Sequence, residues 1–277
     1  MDFSIFFWVL FFLFTILPMI KQQNIVRTRV KMIRSFEINR GTRLITLIHR
    51  QEAISLLGIP ISRYINIEDS EQVLRAIRLT PDDMPIDLVL HTPGGLVLAS
   101  EQIAHALMRH PAKVTVFVPH YAMSGGSMIA WAADEIVMDC NAVLGPVDPQ
   151  IGQYPAASIL KAISRKNIDR VDDNTLILAD MAEKAIKQVE DFMTKILEKR
   201  MEPAAARELA RMLTEGRWTH DFPITCDKLR EMGMPINPAF PTEIYYLMDL
   251  YPQQAQRRPS VEYIPLPYGG GDFKKLS

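Results

Sequence analysis

The sequence has 277 residues, 48% of them hydrophobic, and a formal net charge of −1. That length suits one large domain with appendages, and the balanced charge gives no case for a nucleic-acid partner. Two well-separated cysteines, Cys140 and Cys226, argue against a disulfide framework or a structural zinc. The histidines form no H-E-x-x-H pattern and no G-x-G-x-x-G follows a strand, so neither a metal nor a nucleotide cofactor is expected.

The first element differs in kind from the rest. Phe3 to Ile20 carries no charge and is dominated by Phe, Leu, Ile, Val and Trp. As a helix, such a run rises roughly 27 Å, close to the hydrocarbon thickness of a bilayer. A cleaved signal peptide would need a positive start and a small-residue cleavage site. Asp2 is the only charged side chain before the run, and Leu17-Pro-Met-Ile-Lys21 offers no such site. Residues 1–20 are therefore expected to be a retained single-span transmembrane anchor. Lys21, Arg27, Arg29, Lys31 and Arg34 follow the run and no Lys or Arg precedes it, so the positive-inside rule predicts a membrane localisation with the body of the chain cytoplasmic. Residues 21–41 form a basic juxtamembrane connector that can be helical and can meet anionic lipid.

Residues 42–251 read as the folded domain. Arg43-Leu-Ile-Thr-Leu-Ile-His49 is a strand, and Ile61–Ile67 a weaker one. Asp69 or Ser70 can cap a helix to Leu79. After the proline-marked loop 81–85 come strand Ile86–His91, the turn Thr92-Pro-Gly-Gly95 and a helix over 96–109. Strand 113–118 leads to Tyr121-Ala-Met-Ser-Gly-Gly126, a small apolar helix over 127–133 and strand 135–139. Strand and helix alternating at short spacing predicts an α/β fold with a largely parallel sheet. Beyond the loop 141–154, helices are expected over 157–164, 174–200, 203–213 and 225–232, with a turn and strand at 216–221. Residues 252–277, rich in Pro, Gln and Gly, read as a flexible tail.

Two glycine-rich turns follow successive strands and so fall on one sheet edge. Ser124 stands at the second, where a strand bends sharply into a helix. That position suits a nucleophile, although a serine there can equally be a helix N-cap. The N–H groups of Gly94, Gly95 and Gly125 can converge on one oxygen beside it, as an oxyanion hole. Ser127, one turn into the helix, is a rival hydroxyl. His91 and His120 flank the turns, and His220 beside Asp221 is a possible His–Asp pair.

At these residues the sequence resembles the Clp-fold serine peptidases, with signal peptide peptidase A, the stomatin-operon membrane proteases and the serine dehydrogenase proteinases as nearest likenesses. The resemblance rests on Thr92-Pro-Gly-Gly95 and Ala122-Met-Ser-Gly-Gly126 in order on matching elements, and spans roughly residues 40–235. Leu144-Gly-Pro-Val-Asp-Pro-Gln150 and the N-terminal run point to the serine dehydrogenase proteinases. The resemblance implies a Clp/crotonase-like fold, a membrane-anchored serine endopeptidase and homo-oligomerisation. A peptide or membrane-protein substrate would be cut with no cofactor. A histidine base would fall near Pro149, where none stands. The lysine-using relatives instead point to Lys166, with Lys161 in reserve, while Lys184 and Lys187 fall on the long helix. A lysine base needs burial or a neighbouring cation to lose its proton. A crotonase-type acyl-thioester enzyme and a non-catalytic membrane scaffold of the same fold remain the competing readings.

Overall fold

The computed structural model describes residue 8 and residues 10–50, 54–56, 59–61 and 64–251. A π-helical turn, Phe12–Ile16, runs into helix α1, Leu17–Arg40, which ends on Gly41 in the left-handed conformation. Strand β1 (Arg43–Ile48) and the antiparallel hairpin β2 (Ile54–Leu56) and β3 (Ile59–Ile61) follow. Then come α2 (Ile67–Arg78), β4 (Ile86–His91), α3 (Val97–Arg109), β5 (Val114–Val118), β6 (Tyr121–Ala122), α4 (Gly125–Ala132), β7 (Glu135–Met138) and β8 (Val143–Leu144). The chain continues through β9 (Gln150–Ile151), β10 (Tyr154–Pro155), α5 (Ala156–Ser164), α6 (Asp173–Leu197), α7 (Pro203–Thr214), β11 (Ile224–Thr225), α8 (Cys226–Glu231) and α9 (Thr242–Asp249).

The main sheet has the order β1-β4-β5-β7 and every pairing in it is parallel. Its strands are predominantly apolar on both faces because both faces are covered. On one face Ile45, Leu47, Leu88, Leu90, Val116 and Met138 pack against α2, α3 and α4, with Trp131 and Ile103 among the fully buried side chains. On the other face Leu44, Val89, Phe117 and Val137 meet Phe36 of α1 and Ile244, Leu247 and Met248 of α9. A second, three-stranded sheet, β6-β8-β11, stands at the carboxyl end of the first. It is made of two-residue strands, with Ala122 opposite Leu144 and Leu144 opposite Ile224.

Several expectations shift. The connector over residues 21–41 is helical as far as Arg40, and its second half is part of the fold. Asp87, almost fully buried in β4, is held by Arg40 Nε at 2.6 Å and by the Thr42 hydroxyl at 2.7 Å. Arg29 Nη2 donates to the Leu250 carbonyl at 2.5 Å and its guanidinium lies 3.9 Å from the Tyr251 ring centroid. Helix α2 starts earlier than expected: Asn66 is its cap, and Asp69 completes a capping box from inside the helix. The weaker strand expected over Ile61–Ile67 falls partly on residues outside the described set. Beyond that gap, Ile65 makes an isolated bridge to Gly95. Helix α9 has no counterpart in the sequence reading, and the only strand near the expected one at 216–221 is β11. Among the described residues no helix is long and apolar enough to cross a membrane. The span expected over residues 1–20 includes residues 1–7 and 9, which lie outside the described set, as does the expected tail 252–277.

Candidate active site

Ser124 has φ 51° and ψ −119°, and among the described residues it is the single non-glycine with positive φ. That conformation costs a side-chain-bearing residue of order 1–3 kcal/mol and is held only where surrounding structure enforces it. Enforcement is visible on both sides. Thr92 and Ala122 form a parallel bridge, with Thr92 N–H donating to the Tyr121 carbonyl and Met123 N–H to the Thr92 carbonyl. Gly126 N–H then closes the elbow onto the Met123 carbonyl at 2.8 Å. Although Ser124 occupies the N-cap position of α4, its side chain makes no capping hydrogen bond. The cap reading of this serine therefore fails, and the half-buried hydroxyl stays uncommitted among the described residues.

The two glycine turns are in contact, and their glycines are steric requirements. A Cβ on Gly94, which has φ 104°, would sit 2.8 Å from the Ser124 Cβ. A Cβ on Gly95 would lie 2.2 Å from the Ile65 carbonyl oxygen, and one on Gly125 2.1 Å from the Ser100 hydroxyl and 3.7 Å from Gly95 N. The N–H groups of the three glycines differ. Gly94 N–H donates to Thr92 Oγ1 at 3.2 Å, whereas Gly95 and Gly125 have no N–H acceptor among the described residues. Gly125 is the first residue of α4, where an N–H has no helical partner and the helix dipole favours negative charge. A groove of about 820 Å³ adjoins the turn, with His49, Ile65, Asn66, Gly95, Leu96 and Tyr251 in its lining.

Ser127 is not a rival. It is fully buried, its hydroxyl donates to the Ala122 carbonyl at 2.7 Å, and it accepts from Gly145 N–H at 2.8 Å. His91 is also buried and lies in a ring stack, its centroid 4.4 Å from Tyr121 and 5.9 Å from exposed His120. Burial, reinforced by the positive charge of Arg50, lowers its pKa to about 4, so it is neutral at physiological pH.

Lys166 is exposed in the turn after α5, where its N–H caps the Ile163 carbonyl. Its ammonium is one of the groups that hold the Asp172 carboxyl below the usual range, after the two hydrogen bonds from Thr175. Lys161 is exposed on α5, and Lys184 and Lys187 are exposed on α6.

His220 is paired, but with Asp148 rather than with its chain neighbour Asp221. Its Nδ1 lies 2.8 Å from Asp148 Oδ1, and the Asp148 carboxylate is buried. The Gln150 amide donates to the other carboxylate oxygen at 2.8 Å. The hydrogen bond to Asp148 raises the imidazole pKa against the opposing effect of burial. With Nδ1–H donating to the carboxylate, Nε2 of the neutral ring is left as the acceptor. The topology sets this pair and Ser124 at one end of the small sheet. Ser124 follows the end of β6, Asp148 follows the end of the parallel neighbour β8, and His220 precedes the start of antiparallel β11. All three therefore leave the same end of the small sheet. Sequence spacing hid the pair because its members are 72 residues apart.

A model of the family described as ClpP-like SDH-type serine proteinase matches residues 1–276. The chain is 57% identical over 272 residues to the uncharacterised protein MJ1495 of Methanocaldococcus jannaschii, a match covering 98% of this chain and 93% of that one. It is 54% identical over 264 residues to the uncharacterised protein MJ0137 of the same organism, covering 95% of this chain and 92% of the other. Among solved structures, the 1510-N membrane-bound stomatin-specific protease in complex with a substrate peptide is similar, with 17% identity, a TM-score of 0.46 and coverage of 66% of this chain and 74% of that one. ClpP1 from Listeria monocytogenes is similar at 14% identity and a TM-score of 0.45, over 70% of this chain and 91% of the other.

Proposed function

We propose that this chain, which belongs to the family of ClpP-like SDH-type serine proteinases, hydrolyses peptide bonds with Ser124 as nucleophile and the paired imidazole of His220 as proton acceptor. The observation that carries this reading is the strained Ser124 elbow with an uncommitted hydroxyl. A stabilising role would give that position to glycine or would use the hydroxyl as a cap. In the proposed step His220 Nε2 takes the Ser124 proton as the serine oxygen attacks the peptide carbonyl. The negative charge then forming on the carbonyl oxygen is met by the Gly95 and Gly125 N–H groups. Asp148 holds the tautomer and offsets the imidazolium charge, and the proton passes to the leaving amine as the acyl-enzyme forms. Lys166, the base that the sequence resemblance suggests, stays an alternative. Its exposure denies it the burial by which such a base could lose its proton.

The membrane part of the proposal rests on residues 1–20. Their described members leave Trp8, Phe11, Phe12, Leu13, Phe14, Leu17, Met19 and Ile20 exposed, as a bilayer anchor needs. The body would then be cytoplasmic and close to lipid, with membrane-protein segments among its substrates. Exposed Ile177 and Met181 on α6 fit a homo-oligomeric contact.

A fluorophosphonate probe and casein hydrolysis with the full-length chain in detergent test this. Wild type should label and cleave, Ser124→Ala should do neither, and His220→Ala should lose about 10³-fold or more in kcat. Lys166→Ala should stay within about twofold of wild type, since a solvated surface lysine outside the proposed proton path contributes little. A folded wild type that takes up no probe, or Ser124→Ala that still cleaves, rejects the serine mechanism. A crotonase-type enzyme would instead keep an acyl-thioester activity in Ser124→Ala. Loss in Lys166→Ala with a normal His220→Ala makes the lysine the base.

A further inference from the structure

Behind the oxyanion turn runs a line of hydrogen bonds that the serine chemistry does not itself use. Gly94 N–H donates to Thr92 Oγ1 at 3.2 Å, Thr92 Oγ1 lies 2.9 Å from His49 Nδ1, and His49 Nε2 lies 3.3 Å from Asp69 Oδ2. Thr92 and His49 are buried, and Asp69 is the residue that closes the capping box of α2 by accepting from Asn66 N–H at 2.9 Å. The directions follow from what each group can do. An ionised carboxylate only accepts, so His49 Nε2–H donates to Asp69. In the neutral tautomer with that proton on Nε2, Nδ1 is the acceptor, the Thr92 hydroxyl hydrogen points at it and the hydroxyl oxygen is free for Gly94 N–H. Each bond polarises the next in a buried chain.

Thr92 has a second acceptor within reach, the Gly94 carbonyl at 3.4 Å. That carbonyl belongs to the peptide whose N–H is Gly95, and it already accepts from Ile65 N–H at 2.8 Å. His49 Nδ1, at 2.9 Å, is the nearer of the two acceptors and so competes for the Thr92 hydroxyl with the carbonyl whose movement would turn the Gly95 N–H.

We propose that His49, oriented by Asp69 and acting through Thr92, is a positioning residue that sets the plane of the Gly94–Gly95 peptide and so aims the Gly95 N–H at the substrate oxyanion. This deepens the serine-peptidase reading and rests on it. The groups of the line come from α2, from the end of β1 and from the turn after β4. A contact to the start of a helix and to a neighbouring strand thus governs a donor that belongs to neither.

The test is the rate of fluorophosphonate labelling of Ser124 together with kcat and KM for a peptide substrate, all on the full-length chain. Thr92→Val keeps the methyl shape packed on Gly126 but removes the hydroxyl. It and His49→Phe should each lower kcat and the labelling rate together by about 10- to 100-fold while KM moves less than about twofold, because a donor is misaimed and ground-state binding is intact. Thr92→Ser should recover at least about fivefold of the rate lost in Thr92→Val. Asp69→Asn removes the carboxylate charge but leaves an acceptor, so it should fall between His49→Phe and wild type. Thr92→Val that labels at the wild-type rate overturns the proposal. So do losses that appear in KM, or that Thr92→Ser does not recover. Failure of the parent reading is distinguished by wild type itself: a wild-type chain that takes up no probe rejects both, whereas a labelled wild type with an unimpaired Thr92→Val rejects the positioning role alone.

Discussion

Ser124 sits where glycine would be at ease. Replacing it with glycine removes the strained Cβ, and the relief should exceed the entropic cost of the glycine by about 1 kcal/mol, a rise of roughly 2–4 °C in Tm. Ser124→Ala keeps the Cβ and should unfold near the wild-type temperature, so calorimetry on the two inactive variants separates strain from chemistry. His220 gives a pH prediction of definite sign. As the proposed base, His220 must be unprotonated, and Asp148 holds the proton on, so kcat/KM should rise with pH through a midpoint above the ordinary imidazole value. Asp148→Asn should move that limb to lower pH and lower its plateau. The same raised pKa contributes stability that is complete below the unfolded imidazole value and lost as pH climbs through the folded one. Activity is thus gained in the range where this contribution fades. At this scale the Ser124 elbow and the glycine turns were readable in the sequence because each is a contiguous motif with a local steric reason. The Asp148–His220 pair was not, because it exists only once β8 and β11 pair. Neighbouring Asp221 drew the eye in its place.

Among the elements, α1 shows how a charged connector becomes part of a core. Its Arg40 lies over the rings of Phe36 and Phe117, 5.5 and 5.2 Å from their centroids, while it holds buried Asp87. Arg40→Ala leaves that carboxylate with Thr42 as its remaining partner. Because Arg40 itself is partly solvated, the loss should lie at the lower end of the roughly 3–5 kcal/mol typical of breaking a buried pair. Denaturant unfolding of the Arg40→Ala/Asp87→Asn double variant should then show it no less stable than Arg40→Ala alone. The parallel strands and α2 to α4 could be read from apolar runs alternating with 3.6-residue periodicity. Helix α9 could not: it is eight residues long, its inward face is Ile244, Leu247 and Met248, and its carboxyl end is fixed by distant arginines, Arg29 on the Leu250 carbonyl and Arg50 on the Met248 carbonyl. Those contacts are tertiary, and no stretch of ten residues announces them.

At the scale of the whole molecule, the sheet is closed on its second face by the same helix that the apolar N-terminus feeds. If residues 1–20 anchor the chain, insertion of a flexible Gly/Ser segment of about 20 residues between Ile20 and Lys21 adds a reach on the order of 25 Å. In proteoliposomes this should leave hydrolysis of a soluble peptide unchanged and slow the cutting of a bilayer-tethered reporter, whose site must meet the enzyme at a fixed height. Equal effects on both reporters would reject the anchor's role in selection. Arg29, where side-chain bonding to the body begins, lies nine residues along α1 from Ile20, a rise of about 14 Å with no flexible joint. With residues 1–20 in a bilayer as proposed, a body held that close to lipid would work in a plane. Its encounters would be set by lateral diffusion and by how many substrates share each patch of bilayer, so its effective specificity would be as much an address as a sequence preference.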